Sequence, residues 1–123
     1  MTRKAIPTRR HCVTASTTWR GQKIEVSVGI DPKTGKVAEA FADIAKGGQI
    51  QHEMSDALIL ASIAMQCGVP IEDLQKTLGT QTIMVDGKPI TEPTSPVGAT
   101  LDAVRFIADG IKTPGFFDEE AKG

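Results

Sequence analysis

The stretch from Glu92 to Val104, EPTSPVGATLDAV, sets two hydroxyl side chains and a proline directly before a small, apolar, helix-periodic segment. The first turn of a helix leaves backbone N–H groups without partners, and the positive end of its dipole favours an anion. Thr94 and Ser95, with the amides near Val97, Gly98 and Ala99, therefore make a candidate cradle for a phosphate, and Gly98 removes a side chain that would block approach. The same residues also suit capping alone. Ser95 at the N-cap satisfies one orphan amide, and Pro96 fits the first helical position.

A second constellation brackets a strand-to-helix junction: Glu39, Asp43, His52, Glu53 and Asp56. Carboxylates near an imidazole are the raw material of acid/base catalysis or of a metal site. His52 and Asp56 are four apart and share a helix face, which is equally the pattern of a solvated surface pair. Lys46, Gly47 and Gly48 form a second possible anion cradle, but no Gly-Lys-Ser or Gly-Lys-Thr is present, so they read as a loop. Cys12 and Cys67 have no CxxC spacing, and His11 and His52 are the only histidines. No metal site is expected, and both cysteines read as small buried side chains with no partner to activate a thiolate.

The elements that must position these residues follow from periodicity. Val13, Ala15, Thr17 and Trp19 alternate, and after a turn at Arg20, Gly21 and Gln22 so do Ile24, Val26, Val28 and Ile30. A turn over Asp31 to Lys36 leads to a third strand with Val37, Glu39 and Phe41 on one face and Ala38, Ala40 and Ala42 on the other, where helices can pack closely. From Gly48 the period becomes helical, with Ile50, Met54, Ala57, Leu58, Ala61, Met65 and Gly68 in one stripe. Ile59, Leu60, Ile63 and Cys67 extend the apolar character around the cylinder, so the outer side also needs cover. A short helix follows Pro70 and stops at Gly79, and Thr80 to Val85 offers a fourth short strand before the Asp86-Gly87 turn. The last helix buries Val97, Leu101, Val104, Phe106 and Ile107. The fold class is α+β: an antiparallel three-stranded meander packed on two or three helices, one of them long and apolar.

The chain has 123 residues, 40% hydrophobic and 24% charged, with a net charge of −1 and no tyrosine. This is one domain of ordinary globular composition, and the scarcity of aromatics argues against a base-stacking nucleic-acid platform. Residues 1–10 form a basic arm carrying Arg3, Lys4, Arg9 and Arg10, residues 11–112 the domain, and residues 113–123 a flexible acidic tail whose Phe116 and Phe117 suit a neighbouring subunit. No stretch approaches the roughly twenty apolar residues of a membrane span, and no signal-type segment is read, so a cytoplasmic location is expected.

The segments RKAIPTRR, GKVAEAFADIAKGG, ALILASIAMQCGVPIEDL and ATLDAVRFIA, in this order around the hairpin, resemble the TSCPD domain that follows the catalytic barrel in adenosylcobalamin-dependent ribonucleotide reductases. The resemblance runs from about Arg3 to about Ile111. The family's naming motif falls at Thr94, Ser95 and Pro96, where this sequence has neither its Cys nor its Asp. The resemblance implies that the barrel, the radical and redox cysteines and the cobalamin surface lie outside this domain, so no cofactor is expected on this chain. It implies a stand-alone, non-catalytic accessory or binding domain that takes a nucleotide or a reductase subunit and forms a homo-oligomer, a dimer or higher, through its central helix. Two alternatives remain: a nucleotide-sequestering protein, for instance from a virus or mobile element, and a small hydrolase using Glu39, Asp43 and His52.

Overall fold

Two tight turns fold the first part of the chain into a meander. In the computed structural model, which describes residues 11–111, β1 (His11–Trp19) and β2 (Gln22–Ile30) are joined by Arg20 and Gly21 alone. Both turn residues have positive φ, 49° and 80°. This mirror-image turn matches the twist of paired strands, so Gln22, expected within the turn, instead faces Trp19 as the first residue of β2. Asp31 holds the next turn, its carbonyl accepting the Gly35 N–H and its Oδ1 the Lys33 N–H at 2.9 Å. β3 (Val37–Ile44) then pairs antiparallel with β2, giving the order β1-β2-β3. The basic arm, the acidic tail and Phe116 and Phe117 lie outside the described residues.

The pleat separates two faces. Val13, Ile24, Val26, Val28, Ala40, Ala42 and Ile44 are buried, whereas Thr14, Ser16, Glu25, Phe41 and Asp43 stand exposed on the other side. The buried face is covered by α1 (Gln49–Gln66) along β3 and by α3 (Pro96–Ile111) across β1 and β2, and α2 (Ile71–Thr77) packs on α3. Met54 and Leu58 from α1 and Val104 and Ile107 from α3 are almost wholly enclosed. Each such side chain contributes about 1.5–3 kcal/mol over an exposed one. Phe106 departs from expectation: two residues on from Val104 it has turned about 200° around the helix, and it is 70% exposed.

The stripe on α1 also differs, and for a reason that lies in β3. Ile50 is exposed, whereas Ser62 and Gln66 are buried at 5% and 7%. The odd residues of β3 turn their backbone groups to β2, so the even ones point theirs at an open edge. α1 fills that edge with side chains. Gln51 Oε1 accepts the Ile44 N–H at 2.8 Å and its Nε2 donates to the Ala42 carbonyl at 3.0 Å. Ser62 Oγ accepts the Ala40 N–H at 3.0 Å while donating to the Leu58 carbonyl, and Gln66 Nε2 donates to the Ala38 carbonyl at 3.1 Å. Gln51 to Gln66 spans about 22 Å of helix and Ile44 to Ala38 about 20 Å of strand, so the two ladders stay in step.

The expected fourth strand exists but joins a different sheet. β4 (Thr80–Val85) turns at Asp86 and Gly87, both at positive φ, and pairs with β5 (Lys88–Pro93) in a separate two-stranded sheet. β5 carries Pro89 and Pro93, which hid it as a strand. The hairpin is tied to the first sheet at one corner, where Trp19 Nε1 donates to the Pro93 carbonyl at 3.0 Å and Arg20 meets Glu92 at 3.5 Å. Among the described residues no helix is long and apolar enough to cross a membrane.

Ser62→Ala leaves the buried Ala40 N–H without its acceptor and is expected to lower unfolding free energy by about 1–3 kcal/mol in urea denaturation. His52→Ala, on the exposed side of the same helix, should stay within about 0.5 kcal/mol of the parent.

Candidate functional site

The entrance to α3 is tightly internal. Ser95 Oγ accepts the Gly98 N–H at 3.1 Å, and the Ala99 N–H is bonded to the Ser95 carbonyl. Thr94 turns the other way, donating its N–H and its hydroxyl to the Gly79 carbonyl at 3.1 and 3.2 Å. Gly98 is small for a packing reason, since a Cβ there would stand 2.9 Å from the Pro93 Cβ. Thus the structure does bring Thr94, Ser95, Val97, Gly98 and Ala99 together, with two of the three candidate amides engaged inside the turn.

The acidic constellation is spread over two surfaces. Asp43 is exposed and Glu39 half-buried on the sheet face that turns away from the helices. His52, Glu53 and Asp56 are exposed on α1, and Lys46 is exposed in the intervening loop with φ at 55°. Among the described residues no three His, Cys, Asp or Glu side chains gather in a way that could hold a metal ion. Cys67 is half-buried, but Cys12 is exposed rather than buried, because its position in β1 points it to the open face.

That open face has its own electrostatics. Glu25 binds Lys23 at 2.9 Å and accepts the Ser16 hydroxyl at 2.7 Å, and these contacts, Lys23 first, hold its carboxyl below the ordinary carboxylate range. Since the folded value is the lowered one, any stabilisation is present above the unfolded value and is lost as pH falls through the folded one. Glu25 is exposed on the sheet surface, where screening keeps such pairs weak.

One concavity was not visible in the sequence. A cavity of about 400 Å³ opens between the Asp31–Lys36 turn, the end of α1, the start of α2 and the end of α3, and its lining includes Asp31, Lys36, Met65, Gln66 and Ile71. Asp31 is only 5% exposed there. The Asp-Pro-x-x-Gly pattern announces the turn in sequence, but nothing announces that Gln66 closes beneath it. The cavity sits at the far end of α3 from the Ser95 turn, about 24 Å away by helix length, so the two are separate sites.

A family model for the TSCPD domain matches residues 1–112. The chain belongs to the TSCPD family. No curated protein and no solved structure matches it. The TSCPD domain is associated with ribonucleotide reductases.

In the ligand-free TSCPD domain, Gly98→Val is expected to cost about 1–3 kcal/mol by overpacking against Pro93, and Ser95→Ala about 1 kcal/mol by loss of the cap. Urea midpoints check both. A Gly98→Val protein as stable as its parent would mean that Pro93 yields without cost and that packing is not why residue 98 is small.

Proposed function

We propose that this TSCPD domain is a non-catalytic accessory module that acts by binding a ribonucleotide reductase or a close relative of one. The observation that carries this reading is the family match over nearly the whole chain. The surface of α1 supports it. Leu60 is 69% exposed and Ile59 49%, both turned away from the buried stripe of Met54, Leu58 and Met65, so a long helix presents apolar residues outward as well as inward. An apolar outer face of this kind suits a protein partner.

A second reading, small-molecule binding with nucleotides as the first class, draws on the cavity. Its volume of about 400 Å³ is that of a compact ligand. The most buried charged residue of its lining is Asp31, whose carboxylate accepts the Lys33 N–H and has room to accept N–H donors of a base edge but is no cradle for phosphate, while Lys36 is exposed.

The test is a binding titration of the full chain against a purified adenosylcobalamin-dependent reductase, beside a thermal-shift series with ribonucleotides and deoxyribonucleotides. The accessory reading expects a complex weakened at least tenfold, about 1.4 kcal/mol, by Leu60→Asp. A failure to bind any reductase, with a nucleotide shift removed by Asp31→Asn, would replace it by the second reading.

A further inference from the structure

The two strands of the hairpin leave their outer edges in opposite conditions. Val85 and Lys88 flank a two-residue turn and so exchange hydrogen bonds, as do Ile83 with Ile90 and Gln81 with Glu92. The Thr94 N–H on the Gly79 carbonyl continues the same alternation one step further. The outward backbone groups of β5 therefore belong to residues 89, 91 and 93, and those of β4 to residues 80, 82 and 84. On β5 two of the three are Pro89 and Pro93, which have no N–H, and the Pro93 carbonyl is already taken by Trp19. On β4 they are Thr80, Thr82 and Met84, which keep all their donors and acceptors and form no backbone bond outward among the described residues.

Natural sheets blunt a bare edge with proline, charge or a covering element. β5 is blunted by proline and β3 is covered by α1. β4 has none of these: Thr80 to Val85 contains no charge and no proline, and β5 is the one element with which it packs extensively. The hairpin is also short of strands. A two-stranded sheet is marginal in water, and this one exposes Met84 at 67%, Ile90 at 45% and Val85 at 40%. The outer edge of β1 differs, because the side chains beside it, Thr14, Ser16 and Thr18, form a polar exposed face with no apolar surface to bury.

We propose that β4 pairs antiparallel with β4 of a second copy, joining two hairpins into one four-stranded sheet with its two-fold axis at Thr82. A second copy is the occupant because the edge complements itself. With Thr82 opposite Thr82, Thr80 meets Met84 of the other copy, so all three outward residues on each side find a partner of matching parity, and the overlap runs over residues 80–84 of each strand with Val85 reaching position 79 of the other copy. No like charges meet, and a Thr–Thr pair across the axis is among the favourable cross-strand contacts. The surface used is the hairpin, not the central helix, so the α1 face remains available to another protein.

Light scattering on the full chain, coupled to gel filtration, is expected to give twice the 13.1 kDa of one chain. Thr82→Pro copies onto β4 the proline that β5 already tolerates at outward positions and should give a monomer. Thr82→Lys keeps the N–H but sets two like charges on the axis; it should weaken self-association at least tenfold, with partial recovery in high salt. Thr91→Pro, on the outward edge of β5, should leave the dimer intact, with circular dichroism confirming the fold of each variant. In a Cys12→Ser, Cys67→Ser background, Thr82→Cys should form an interchain disulfide on oxidation, since opposed strand residues stand about 5.5 Å apart. A monomeric parent, a dimer that survives both Thr82→Pro and Thr82→Lys, or an equal loss with Thr91→Pro would overturn the proposal.

Discussion

The ladder between α1 and the outer edge of β3 is the interaction on which the rest of the architecture depends. A three-stranded sheet of this width cannot close on itself, and its edge backbone groups must be satisfied before they can be buried. Gln51, Ser62 and Gln66 satisfy them from one helix, which fixes both the direction of α1 along the strand and its rotation about its own axis. Once that rotation is fixed, Met54, Leu58 and Met65 face the sheet and Ile59 and Leu60 face outward. The ladder thus decides which apolar residues become core and which become surface. Alanines at positions 38, 40 and 42 allow the helix to come close enough for such short side chains to reach.

Much of the fold was legible because strand and helix periods differ clearly here. The meander, the three helices and the face assignment of β3 follow from alternation and from Gly and Pro punctuation. What could not be read has a common physical cause: polar residues used as structure. Ser62 and Gln66 interrupt the apolar stripe of α1, and no periodicity argument distinguishes a buried serine on a strand edge from a solvated one. Pro89 and Pro93 conceal β5 for a related reason, since proline is compatible with a strand only where its missing N–H points away from the ladder. Phe106 and Ile107 are adjacent and so stand about 100° apart on the helix, which leaves the first in solvent and the second in the core.

The candidate sites divide the same way. The residues of the Thr94 to Ala99 turn are identifiable as a group because capping and anion binding demand the same chemistry, and it is the folded geometry that sets Ser95 and Pro93 against Gly98. The cavity beside Asp31 was invisible because its walls come from four segments that sequence spacing cannot bring together. Glu39, Asp43 and His52, close along the chain, are parted by the sheet itself: the strand residues go to one face and the helix to the other.

The joint between the two sheets has a practical consequence. Trp19 is the sole tryptophan of the chain, and its indole sits at the corner where the hairpin is fastened, bonded to the Pro93 carbonyl and overlaid by the Arg20 guanidinium at 4.7 Å. A fluorophore so placed is sensitive both to the loss of its N–H acceptor and to the departure of the cation above its ring. Its emission wavelength is therefore a built-in gauge of how the hairpin sits on the body of the molecule, separate from any signal of global unfolding, and it requires no label.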